Sequence, residues 1–419
     1  MHIAIVVVPA IPNTIDKSHF GAPEYCVPEQ AIKTLRDRIQ NQASRRYDTY
    51  GDTIGKQDFR NRQQAGTMIF GNVLNMETFI DLGLDPGSAN TLMCIRDKGI
   101  VVDEPTIVAV ASDSGKWLAI GHEALNMHRK MHPGMHSIQP VTKGIIADYD
   151  TAQRLFRELL HSVKPRILFG IHRMVISVPC GITEVEKRAF FDMATEHLGA
   201  KEAYLVFEPI AAAIGAGIDP FEPVTSLVVN LGADTTQIAV ISLGGVVTGE
   251  SLDVSGNQID NEIIRYLREQ NNLAISDYAA EQIKLHIAAT DRLDEDDRLT
   301  VKGFNLRSGF PETQEISTAA LSKVITAPLQ EIVPAIRKCI EGLADKPDMA
   351  VDILERGIYL TGGGALLSGI DRKIHSATGL AVTICNEPQT TVSKGLSTIL
   401  ENFERYQPLL FDNKKKHKQ

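Results

Sequence analysis

The sequence predicts an α/β fold in which two copies of one strand–turn–strand unit close on a shared ligand. Three observations carry that prediction. Beyond residue 76 the chain alternates strand and helix patterns, the order of an α/β protein. The stretches "FIDLGLDPGSANTLMCI" (79–95) and "LVVNLGADTTQIAVI" (227–241) share one build: an apolar strand, a glycine-containing turn with small hydroxyl residues, and a second strand. The glycine triplet of "TGGGALLSG" (361–369) joins a strand to a helix and leaves no side chains to obstruct a flat ligand.

The elements follow in chain order. The opening "IAIVVVPAI" is short and lacks a basic leader, which excludes a secretory signal. Residues 12 to 67 are polar and irregular, and Met68 is an alternative start that would leave them as an upstream extension. In "MIFGNVLNMETFI", Ile69, Phe70, Val73, Leu74 and Phe79 stand near helical spacing. That suits an amphipathic segment on a membrane or a partner, and equally a helix or strand packed on the core. "GIVVDEPTIVAVA" reads as strands around a turn, and "MVISVPC" as a buried strand. "ITEVEKRAFFDMATEHLG" reads as a helix opened by a Thr183/Glu186 capping box and closed at Gly199. The small residues of "EPIAAAIGAG" make a helix that tolerates close backbone approach. Pro220 and Pro223 mark a crossing between domains, and "DNEIIRYLREQNNL" and "SDYAAEQIKLHIAA" are amphipathic helices.

Composition narrows the classes of function. At 419 residues the chain exceeds one compact core, so two or more domains are expected. Its hydrophobic share of 43% and charged share of 23% are ordinary for a globular protein. A net charge of -9 argues against nucleic-acid binding over the whole surface. The basic tail "KKKHKQ" (414–419) reads as a solvated end, with contact to acidic lipid or a partner as the sharper reading. Five scattered cysteines without a CxxC pair read as reduced thiols of a cytoplasmic protein. No apolar run approaches the roughly 18 residues of a membrane span.

The chemistry gathers at the turns. In "DPGSANT", Gly87 lets the backbone approach a ligand, Ser88 and Ala89 keep the turn narrow, and successive N–H groups form a nest for phosphate oxygens. Asp85, at the strand's end, is placed to hold a water of bound Mg²⁺. Thr235 and Thr236 supply the opposing nest. Glu208, ahead of Pro209, opens a helix and is placed to orient an attacking water. Glu281 and Lys284 lie one helical turn apart and suit ribose hydroxyls; the plainer reading is a surface ion pair.

From about Phe79 to Phe403 the chain resembles the MreB family of bacterial actin-like rod-shape proteins. "DPGSANTL", "KGIVVDEPTIVAV", "GIIADY", "VPCGITEVEKRA", "EPIAAAIGAGI", "TTQIAVISLGGVV", "ERGIYLTGGGALLSGID" and "TGLAVTICNEP" occur in the family's order and spacing. The resemblance implies an actin-like fold of duplicated ribonuclease H-like domains, two lobes around a nucleotide cleft that holds ATP and Mg²⁺. It implies an extension over 1–75, a first lobe of 76–220 plus 392–412 with a small part near 105–147, and a second lobe of 221–391 with a small part near 254–317. It also implies homopolymer filaments at the inner membrane surface that work with cell-shape and cell-wall synthesis proteins. Matched residue by residue, Asp85, Gly87, Ser88, Ala89 and Asn90 fall on the first phosphate hairpin. Gly232, Thr235 and Thr236 fall on the second, and Glu208 on the position that sets the hydrolytic water. Glu281 and Lys284 fall on the ribose-side helix, and Gly362, Gly363 and Gly364 on the adenosine motif.

The departures matter as much. The family's second hairpin usually reads Asp-Ile-Gly-Gly-Gly-Thr-Thr, and here it is "NLGADTT". Asn230 weakens the metal side by one carboxylate, Ala233 adds a β-carbon, and Asp234 brings a charge that either repels phosphate or replaces the lost metal-side carboxylate. "SGN" (255–257) stands for Gly-Gly-Asp, and Pro86 for a leucine. The expectation is nucleotide binding that persists, weakened, with slow or absent hydrolysis. A hydrolysis-deficient scaffold is the main alternative. A sugar or acetate kinase lacks an acceptor segment here, and a chaperone lobe lacks a substrate-binding region. The family's apolar membrane loop reads "NMHRKMHPGMHSI" here. Met131 and Met135 are its candidates for shallow insertion, beside Arg129 and Lys130. His128, His132 and His136 share a four-residue spacing that Pro133 and Gly134 interrupt, so a solvated loop is expected rather than a metal site.

Overall fold

A computed structural model of the chain describes residues 79–130, 133–163, 170–288 and 297–412. All belong to one compact unit, 76–419. Two sheets organise it, and they repeat one topology. In the first, Gly99–Pro105, Asn90–Ile95 and Ile80–Pro86 form an antiparallel meander; Ile171–Val178 and Ala200–Phe207 then extend it in parallel, and Phe411–Asp412 closes the edge. In the second, Gly245–Leu252, Thr236–Ser242 and Ser226–Leu231 form the same meander, extended in parallel by Ile358–Thr361 and Val382–Ile384. The internal echo of the sequence is thus an echo of topology.

Period-two alternation places the cores. Met174, Ile176 and Val178 face the core of the first sheet, whereas Val175 faces away. Leu227, Val229 and Leu231 face the core of the second, and Val228 faces away. Val175 and Val228 meet in a third core, shared with the helices Glu208–Gly215 and Thr391–Glu401. Apolar residues on both faces are what a helix-covered parallel sheet requires. The two helices therefore lie between the sheets, and Glu208 begins one of them.

Smaller sheets decorate the unit. Val108–Ala111 pairs with Trp117–Ile120 and Met135–Ile138, and Arg298–Asn305 with Leu273–Ala274 and Pro311–Ser317. The stretch expected as a solvated loop is therefore partly ordered: the helix Gly121–Arg129 runs into its start and Met135–Ile138 is a strand. Thr183 caps the helix Glu184–Asp192 as predicted: its hydroxyl accepts from Glu186 N, and the Glu186 carboxylate accepts from Thr183 N at 2.7 Å. The helix then loosens into a π-turn over Met193–His197, which the pattern did not foretell. Among the described residues no helix is long and apolar enough to cross a membrane.

Candidate functional site

The turns of the two hairpins open onto one cleft of about 630 Å³. Lining it are Asp85, Gly87, Ser88, Ala89, Asn90, Glu208, Asn230, Gly232, Asp234, Thr235, Glu281, Lys284, Gly362, Gly363 and Gly364. Residues from as far apart in sequence as Asp85 and Gly364 are thus gathered at one place. Thr236 is not among them. It is fully buried, and its hydroxyl donates to the Val254 carbonyl at 2.6 Å, fastening the hairpin from behind.

Asp85 sits at the end of its strand. Its Oδ1 accepts from Ser177 at 2.7 Å and its Oδ2 from Ser393 at 3.1 Å. Burial raises its pKa, and the two hydroxyls oppose that shift. Glu208 is the first residue of its helix, where its charge would suit the helix dipole. Burial, reinforced by the charge of Asp85, nevertheless pushes its carboxyl up to about 8, against a hydrogen bond from Asn230. Asn230 Nδ2 approaches Glu208 Oε2 at 3.5 Å. An amide here removes a like charge beside Glu208 and adds a donor toward it.

The second turn is held by polar contacts on both sides. Gly256 N and Asn257 N donate to the carbonyls of Gly232 and Ala233, seating the turn on a helix N-terminus. Asp234 Oδ1 accepts from Asn257 Nδ2 at 2.6 Å, and Oδ2 from Lys143 N at 3.1 Å. Gly144 N, next along, points at Ser88 Oγ in the first turn at 3.4 Å. Lys143 Nζ pairs with Asp253 at 2.7 Å.

Other residues have partners of their own. Asn90 donates to Asp103 at 2.9 Å. Glu281 and Lys284 do not pair with each other: Glu281 meets Arg129 at 3.3 Å, while Lys284 meets Asp260 at 2.7 Å and the Gly256 carbonyl at 3.0 Å. Of the glycine triplet, Gly362 (φ 83°) leaves no room for a β-carbon, which would lie 2.3 Å from Leu231 O. Gly364 is similarly close to the Leu231 side chain. Gly363 alone presents an open backbone.

Phe70, Leu74 and Met131 lie outside the described residues, as do His132 and the 414–419 tail. Met135 packs against a small cluster of Ile107, Ala109, Ala119 and Ala124. His128 pairs with Ser137 and His136 with Ser112.

Reading the sequence alone missed Lys143, Gly144, Ser177 and Ser393. A signal existed for the first two: two short β-branched pairs, Val141–Thr142 and Ile145–Ile146, flank a two-residue turn whose φ angles are 53° and 73°. Ser177 and Ser393 carry no local signal, since long-range folding alone brings them to Asp85.

The profile of the MreB/Mbl protein family matches residues 79–408. The cell shape-determining protein MreB of Escherichia coli (strain K12) is 36% identical over 336 residues, covering 79% of this chain and 96% of that protein. The cell shape-determining protein Mbl of Bacillus subtilis (strain 168) is 34% identical over 325 residues, covering 78% and 97%. The crystal structure of MreB5 of Spiroplasma citri bound to AMPPNP superposes with a TM-score of 0.74 at 29% identity, covering 79% of this chain and 99% of that one.

Proposed function

The chain belongs to the MreB/Mbl protein family and has an actin-like fold, and we propose that it is a cell-shape protein that binds ATP with Mg²⁺ in the cleft and polymerises into filaments. The observation that carries the reading is the convergence of both hairpin turns, Glu208 and the glycine loop on one cleft. On this reading 76–220 with 392–412, and 221–391, are the two lobes that close on the ligand.

The charges fit a metal-bound polyphosphate. Asp85, Asp103, Asp234 and Glu281 line the cleft against one lysine, Lys284, whose ammonium Asp260 engages. A bare polyphosphate would meet this field with repulsion, so a divalent cation has to enter with it. Asp85 is the carboxylate placed to hold such a cation through water, and Mg²⁺ supplies neutralisation of phosphate charge. The N–H groups of the two turns hold oxygens, and Gly363 leaves space for the base and sugar.

Glu208 would orient the attacking water. With its carboxyl near 8 it is mostly protonated at neutral pH in the ligand-free protein, and a proton there makes a poor base. The Asn230 amide opposes that shift, but it brings no carboxylate to the metal side. This favours slow hydrolysis and keeps a hydrolysis-deficient scaffold as the second reading. Phosphate release measured beside pelleting, with ATP and Mg²⁺, tests both. Filaments with slow release are expected. Asn230→Asp should raise release about 10-fold or more. A variant that binds ATP and releases no faster than the parent removes Asn230 from the account.

The reading extends to filaments on the inner membrane that act with cell-wall synthesis proteins. Because Met135 packs inward, Met135→Ser should co-sediment with anionic liposomes as the parent does. Loss of co-sedimentation in that variant would make Met135 an anchor.

A further inference from the structure

Asp234 occupies an unusual position. It stands at the tip of the second turn, and its carboxylate reaches the 143–144 turn, which in turn touches Ser88 of the first. Two turns therefore meet at this carboxylate, and the first hairpin turn joins them through Gly144. Its partners, the Lys143 amide and the Asn257 side-chain amide, are neutral donors. The ammonium of Lys143, Nζ, is engaged by Asp253. Among the described residues Asp234 has no ion-pair partner, so its negative charge stays in the cleft.

If phosphates lie along the two turns, as the functional reading above has it, the last phosphate of the series lies between their tips. That is where Asp234 stands. We propose that Asp234 makes the cleft discriminate by phosphate number, weakening its hold on a nucleoside triphosphate while sparing the diphosphate. The inference rests on the cleft being a nucleotide site. Charge repulsion in a partly enclosed space is strong at short range and falls with distance, so it acts on the terminal phosphate first. A triphosphate must also displace the Lys143 and Asn257 contacts or tolerate the carboxylate between them. A diphosphate does neither. Asn257 and Lys143 are positioning residues in this account, because they aim the carboxylate across the gap.

The test is equilibrium binding of two probes, ADP and the non-hydrolysed triphosphate AMPPNP, each with Mg²⁺, to the full chain. Three proteins are compared: the parent, Asp234→Asn, which keeps the shape and one of the two accepted hydrogen bonds, and Asp234→Gly. The parent should bind ADP about 10-fold or more tighter than AMPPNP. Both variants should tighten AMPPNP by about 10-fold and move ADP by less than about 3-fold. A parent that prefers AMPPNP, or variants in which both probes gain equally, would overturn the proposal while leaving the nucleotide site intact. Absence of binding by either probe to all three folded chains would overturn the nucleotide reading, and the proposal with it.

Discussion

Gly395→Ala is expected to destabilise the protein by about 3 kcal/mol or more. A β-carbon at Gly395 would lie 1.8 Å from the Ala211 carbonyl oxygen. One at Gly215 would lie 1.9 Å from the Thr391 oxygen. The helices Glu208–Gly215 and Thr391–Glu401 therefore touch backbone to backbone, and no rotamer can relieve the clash. They would have to separate inside the layer between the two sheets, opening the core around Val175, Val206, Val228 and Ile241. Ser393, on the second helix, holds Asp85, and Glu208 begins the first. Loss of fit there should weaken ligand binding along with stability. Gly181 has nothing within 4 Å of its β-carbon position and an ordinary backbone, so Gly181→Ala should change stability by less than about 0.5 kcal/mol. Thermal melting of the two variants beside the parent decides it. A Gly395→Ala protein melting with the parent would mean that the helices are not in contact.

That contact shows where sequence reading reaches its limit. The small residues of "EPIAAAIGAG" announce a close approach without saying to what, and nothing in "TTVSKGLSTIL" marks Gly395 as the partner. The hairpins were legible because glycine turns between apolar strands are local. So was the capping box, whose partners are three residues apart. Thr235 and Thr236 looked alike in sequence, yet strand alternation turns one to the cleft and the other to the Val254 carbonyl. Glu281 and Lys284 share a helix face, but their partners come from Arg129 and Asp260 on other elements. Asp234 could be read as a misplaced charge. Only the fold supplies Lys143 and Asn257, and with them the reason the charge is held where it is.

Glu208 gives the second large effect, and it is one of pH. In the unfolded chain its carboxyl titrates near the ordinary 4.5, and in the folded protein near 8. The folded state thus holds the proton more tightly. Below about pH 4.5 both states keep it, and the group imposes no penalty on folding. Between 4.5 and 8 the unfolded chain gives it up first, so stability is lost as pH rises through this window and levels off above it. Each tenfold difference in proton affinity between the two states is worth about 1.4 kcal/mol, so the effect is of the order of a few kcal/mol. Asp85, whose pKa burial also raises, acts in the same direction. Glu208→Gln removes the titration and keeps an acceptor for the Asn230 amide. Without nucleotide or divalent cation, the variant should melt close to the parent at about pH 5 and clearly above it at about pH 8. Equal melting temperatures at both pH values would mean that Glu208 is solvated and ionised in the cleft. It would then be a competent base at neutral pH, and slow hydrolysis would have to be traced to Asn230 and the second turn alone.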